Sequence, residues 1–319
     1  MEKIVQRRYW WFTISAVLIA VGLVLLVIDG LRPGIDFSGG ALWNVRFTER
    51  SVEQLNTEEI ASVFAQEGFE GAQVQLSPGD GSGASAIIRT KTLSEQNPDA
   101  QAAEMIGALS AQFGAVEQDS IQTVGATVSA QSRLYAVFAV LGASVAILLY
   151  LAFSFRHAPH PFRYGVCTIV AMLHDVLICV AAAAILGQLI GLEVDALFLT
   201  ALLTVISFSV QDKIVVFDRI RENLLARRPG QLFEQIVNVS VAQVMPRSIC
   251  TQLTSFFTLA ALLLFGGESI RNFVLILMIG LISGTYSSMF IAAQLLVVWE
   301  NREWERWFGR GRAEEPAAA

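Results

Sequence analysis

Apolar runs alternate with one long polar block. The runs cover residues 10–28, 134–155, 162–187, 196–217, 249–265 and 273–298, each near the ~20 residues that carry a helix across a bilayer core. This pattern predicts a polytopic α-helical membrane protein with six transmembrane helices and one domain between the first two. The fifth run is the shortest and holds Thr251, Gln252 and Thr254, which predicts a helix buried among others. Lys3, Arg7 and Arg8 precede the first run, as in a signal peptide. The run is long enough to span, however, and no small-residue cleavage site follows it before Asp36, so it reads as an uncleaved anchor.

Inside the polar block the period changes. Residues 41–47, "ALWNVRF", alternate as a strand does, and 72–76 and 85–91 read as strands around the turn "SPGDGSG". Asn56, with Glu59 three residues on, opens a helix that Gly68 ends. Asn97 before Pro98 opens a second helix reaching Phe113 and Gly114, and residues 116–124 close as a strand. The order βαββαβ predicts a ferredoxin-like α+β domain over 31–131. Residues 1–30 then hold the N-terminus and first helix, 132–299 a five-helix bundle with a cytoplasmic segment at 218–247, and 300–319 a cytoplasmic tail.

Composition sharpens this picture. Of 319 residues 54% are hydrophobic and only 16% charged, against about 25% charged in soluble domains. Basic residues cluster before the first run, between the second and third (Arg156, Arg163), after the fourth (Arg219, Arg221, Arg227, Arg228) and in the tail (Arg302, Arg306, Arg310, Arg312). Positive charge marks the cytoplasmic side, so both termini are expected inside and the polar block outside. From Asp36 to Gln131 the block carries thirteen acidic residues against four basic ones, which disfavours nucleic acid and anionic headgroups as its partners. The three cysteines, Cys167, Cys179 and Cys250, lie in or beside the runs and read as packing residues rather than disulfides.

The stretch "SFSVQDKIVVFD", residues 207–218, sets charges inside an apolar run. An ionisable group within a span is costly and usually faces the protein interior. Asp212 lies roughly 8 Å from the cytoplasmic end at 1.5 Å per residue. Helical spacing puts Ser209, Asp212 and Lys213 on one face, and Thr200, Thr204, Ser207 and Gln211 on a second. Two readings of Asp212 stand: polar glue held by Lys213, Arg247 or helix neighbours, and a proton-binding carboxylate. Arg247 is either its permanently charged partner or an anchor at the interface. His174 and Asp175, mid-span in the third run, suit a proton relay or a mutually satisfied pair. Asp36, framed by Gly34, Gly39 and Gly40, reads as a hinge or a simple turn. Asp218 and Arg219 start a cytoplasmic segment in which "RIRENLLA" (219–226) is amphipathic and is expected along the membrane or against a partner. Gly280 and Gly284 form a small-xxx-small pair for close packing.

Several motifs, in order, resemble the SecF branch of the SecD/SecF export family: "GIDFSGG" (34–40), "LHDVLI" (173–178), "QDKIVVFDRIREN" (211–223), "PRSICTQLTSFFTLAALLLFGG" (246–267) and "GLISGTYSSMFIA" (280–292). The resemblance covers nearly the whole chain except the tail; Lys213 and Pro246 depart from it. It implies a bacterial cytoplasmic (inner) membrane location and an architecture related to resistance-nodulation-division transporters. It also implies a six-span SecD partner, the SecYEG channel and a translocating preprotein. Asp212 and Arg247 fall on motif positions, and the implied role is coupling to the proton motive force. No catalytic, cofactor or metal residues are expected; H⁺ is the implied coupling ion, and a carboxylate serves Na⁺ as well. A proton-coupled efflux half and a non-transporting scaffold remain as alternatives. An intramembrane aspartyl protease using Asp175 and Asp212 is disfavoured, because the GxGD context is absent and their depths differ by roughly 10 Å.

Overall fold

The computed structural model describes residues 4–79, 83–93, 97–154, 156 and 161–303. Lys3, Phe155, the tip of the "SPGDGSG" turn and the tail beyond Glu303, with Arg306, Arg310 and Arg312, lie outside the described residues. The chain divides into two units: Pro33–Val137, and the residues before and after it. The elements in chain order are α1 (Arg8–Ile28), α2 (Ile35–Ser38), β1 (Gly40–Phe47), α3 (Thr57–Gln66), β2 (Gln73–Pro78) and β3 (Ala84–Thr90). There follow α4 (Pro98–Phe113), β4 (Val116–Val124), α5 (Ala126–Ser154), α6 (Pro161–Ile190), α7 (Ala196–Leu225) and α8 (Phe233–Phe265). The last are α9 (Glu268–Ser287), a π-helical turn (Ser288–Ala292) and α10 (Ala293–Glu300).

In the Pro33–Val137 unit the strands form one antiparallel sheet ordered β2-β3-β1-β4. The alternation of β1 sends Ala41, Trp43, Val45 and Phe47 into the core. There Trp43 meets Phe64 edge-on at 5.4 Å and its Nε1–H donates to Thr90 Oγ1 at 2.9 Å. The helices α3 and α4 cover the same side with Ile60, Phe64, Met105 and Leu109. Asn56 caps α3, its Oδ1 accepting from the Glu58 N–H. Gly40 opens β1 at φ +129°, and a Cβ there would stand 2.6 Å from the Thr90 carbonyl oxygen, so no larger residue fits.

Among the described residues six helices are long and apolar enough to cross a membrane: Val5–Ile28, Ala126–Leu151, Phe162–Ile190, Ala196–Leu225, Phe233–Phe265 and Ile270–Glu300. The helix α7 packs against α6, α8 and α9, and α1 lies along α6. Close approach of α9 to α7 requires Gly280, since a Cβ there would fall 2.1 Å from Val205 Cγ2. Asp195 starts α7 by accepting from the Phe198 N–H at 2.7 Å.

Three expectations need correction. Within this chain the fifth apolar run is only partly covered by other helices. Much of α8 is uncovered within this chain: Thr251 and Thr254 are exposed and return their hydroxyls to the carbonyls of Arg247 and Cys250, which satisfies them without a neighbour. Cys250 is likewise exposed, while Cys167 and Cys179 are buried. Finally, "RIRENLLA" is no separate surface segment, because α7 continues unbroken to Leu225. No Gly or Pro interrupts this stretch, so nothing stops the helix where the apolar run ends.

Both ends of the described bundle meet. Asn238 on α8 accepts from the Ile4 N–H at 3.1 Å. Arg8 pairs with Glu303 and with Glu234, and Tyr9 donates to Glu303 at 2.7 Å. Burial alone would raise the Glu303 carboxyl. Hydrogen bonds from Arg8, Tyr9 and Asn301, with the Arg8 charge, outweigh it and hold the group below its ordinary 4.5.

Candidate functional site

The helix α6 carries Asp175 to the centre of the bundle, where it is fully shielded. A lone carboxylate there would be strongly disfavoured, and its surroundings answer that cost. Lys213 Nζ on α7 lies 2.7 Å from Asp175 Oδ2. Ser287 Oγ on α9 donates to the same oxygen at 2.7 Å, and Ser209 Oγ on α7 donates to it as well. Oδ1 accepts from Ser283 Oγ at 2.8 Å and contacts His174 Nδ1 at 3.0 Å. Five partners from three helices thus use the lone pairs of one carboxylate.

Lys213 is as deeply buried as Asp175, and its ammonium also reaches Ser209 Oγ and the Ser209 carbonyl. Its direction follows from helix geometry. Successive residues diverge by about 100°, so Lys213 turns toward α6 while Asp212 turns elsewhere. The lysine therefore neither pairs with Asp212 nor extends toward the helix end.

Asp212 is 8% exposed and accepts from Gln252 Nε2 on α8 at 2.9 Å. Among the described residues no ion pair joins it to Arg247. Arg247 precedes Gln252 by five residues, roughly 140° around the helix. It lies exposed in a surface cleft with Asp218, Arg219, Arg221 and Gln243. Gln211 is exposed as well.

Asp218 and Arg219 bond with partners other than the two carboxylates. Asp218 pairs with Arg221 at 3.0 Å, and Arg219 with Glu222, while Arg219 Nε also donates to Gln243 on α8 at 2.7 Å. Gly34 precedes α2 and Gly39 follows it, with Asp36 in its first turn. His174 turns its ring toward Tyr286, centroids 6.1 Å apart, and its Nε2 has no hydrogen-bond partner among the described residues. Asp175 and Asp212 belong to separate hydrogen-bond sets and share no bond among the described residues, unlike a proton-sharing protease dyad.

Two residues of the Asp175 cluster escape the sequence reading, Ser283 and Ser287. Their signal was present: they stand four apart, beside Gly280 and Gly284 on the face that meets α7.

Residues 105–302 match the family described as protein export membrane protein SecD/SecF, C-terminal. The protein translocase subunit SecF of Thermobaculum terrenum is 46% identical over 100% of this chain and 99% of its own length. The protein translocase subunit SecDF of Bacillus subtilis is 34% identical over 93% of this chain, which spans 38% of that relative. A crystal structure of SecDF, a translocon-associated membrane protein from Thermus thermophilus, superposes with a TM-score of 0.79 at 29% identity. It covers 93% of this chain and 38% of its own.

Proposed function

The chain belongs to the SecD/SecF protein-export membrane family, and on that premise we propose that it is the SecF-type half of an ion-driven unit assisting polypeptide export. Its partner is a SecD-type six-span half. The SecDF relative joins a segment similar to this chain to a much longer polypeptide, and α5 and α8 leave broad apolar surface uncovered. The unit serves the SecYEG channel and a translocating preprotein in the bacterial cytoplasmic membrane. Both termini lie inside, and the Pro33–Val137 sheet unit is a ferredoxin-like outer domain between the first two spans.

One observation carries the coupling role. Among the described residues of the six long apolar helices, Asp175 and Asp212 are the buried carboxylates, and of these Asp175 alone forms an ion pair. Asp175 is locked by Lys213, whereas Asp212 is held by the neutral amide of Gln252. A proton can therefore join Asp212 without a buried ion pair being broken, a step that would be costly at Asp175. H⁺ is the coupling ion in this reading. Arg247, a fixed charge on α8, moves toward or away from Asp212 as the helices shift. Gly34, Asp36, Gly39 and Gly40 form the hinge through which that shift reaches the outer domain.

The test is reconstitution with a SecD half and SecYEG in energised vesicles. Asp212→Asn keeps the shape and cannot ionise, so it should abolish stimulation by the proton gradient while SecD binding persists. Full stimulation by that variant would overturn the coupling role and leave a scaffold.

A further inference from the structure

The Asp175 cluster has the composition of an alkali-cation site. A carboxylate oxygen, the Ser209 hydroxyl and the Ser209 backbone carbonyl converge on one positive centre, and Ser287 donates to the same carboxylate oxygen. These are hard oxygen ligands of the kind that hold alkali and alkaline-earth ions. The centre they surround is the Lys213 ammonium, with neither lysine nor aspartate open to solvent. We propose that this cage is a monovalent-cation site filled by the chain's own side chain, and that Lys213 is the residue that makes the bundle indifferent to Na⁺ and K⁺.

Charge balance selects a monovalent ion. The cage holds one carboxylate and one ammonium, and a divalent ion in place of the ammonium would leave a buried positive charge unmatched. The hydroxyls do not block the exchange, because a serine Oγ that now donates also carries lone pairs for a cation. A second feature sits beside the cage. Ser287 ends α9, and the π-helical turn Ser288–Ala292 follows at once. Such turns inside helices are frequent at functional sites. The proposal does not depend on the coupling role of Asp212, and its readout is ion binding and unfolding rather than export.

The experiment uses the full chain in lipid nanodiscs at pH 8, in choline chloride, NaCl or KCl at equal ionic strength. The wild-type chain should unfold at the same temperature in all three salts and retain no ²²Na⁺. Lys213→Ala vacates the site. Its unfolding midpoint should climb with Na⁺ or K⁺ and saturate, by roughly 5 °C at a hundredfold excess over the dissociation constant. If Na⁺ is the ion the site selects, the variant should also retain about one ²²Na⁺ per chain. The double variant Asp175→Asn/Lys213→Ala should lose that response. Folding of Lys213→Ala only when Na⁺ or K⁺ is present would also support the proposal. It is overturned if folded Lys213→Ala ignores both ions, if the double variant responds equally, if the wild type responds, or if Lys213→Ala fails to fold in every salt.

Discussion

Gln252 on α8 donates to Asp212 on α7 at 2.9 Å, while Lys213, the next residue in the chain, points away to Asp175. Two adjacent charged residues therefore serve different parts of the bundle. Asp212 is engaged by α8, and Lys213 by the carboxylate of α6.

Gln252→Ala should consequently separate positioning from coupling. It removes the donor that orients Asp212 and leaves the carboxyl able to ionise. Gradient-dependent stimulation should fall by about tenfold, in line with a lost hydrogen bond to a charged group, and its pH profile should move. Asp212→Asn should abolish stimulation at every pH. Equal loss in both variants, with no change of pH profile for Gln252→Ala, would contradict this division.

Breaking the Asp175–Lys213 pair from one side should be severe. Asp175→Asn or Lys213→Met alone should each destabilise the chain by about 3–5 kcal/mol in choline chloride. The double substitution should recover most of that loss, because neither charge is then left unmatched. A double-mutant cycle by chemical unfolding in detergent measures the coupling, and strict additivity would show the pair to be energetically silent.

Gly280 tests the packing that assembles the cluster. Gly280→Ala would place a methyl 2.1 Å from Val205 Cγ2, which should cost about 1–3 kcal/mol as an overpacked contact. Adding Val205→Ala should return a large part. Thermal unfolding of the three variants decides it.

The Arg8–Glu303 clasp predicts an acid sensitivity at one end of the bundle. The Glu303 carboxyl is held below its ordinary 4.5 in the folded chain. Its contribution is therefore complete above that value and is lost as pH falls through the lower folded value. Hydrogen exchange around Ile4–Arg8 should rise on acidification below about pH 4.5. Glu303→Gln should show the faster exchange already at neutral pH.

Much of this arrangement was legible in the chain itself. Long apolar runs dictated the six long helices, and alternation in "ALWNVRF" dictated β1, because burial of one strand face leaves a period of two. The depth cost of charge singled out Asp212, Lys213 and Asp175. Which partner each one takes was not legible. Asp175 draws its ligands from helices 34 to 112 positions away, and no local pattern encodes that convergence. The exposure of α8 was hidden for a related reason: hydroxyls that bond back to their own helix look polar in sequence without requiring a neighbour.

The π-helical turn at Ser288–Ala292 also governs orientation downstream. A single residue more or less at that point rotates everything beyond it by about 100°. Deleting one residue there would swing Glu300 away from Arg163 and Glu303 away from Arg8. The angular phase of the last helix, and with it the closure of the bundle on its own first turn, is thus set by one irregular loop of backbone next to the serines of the core.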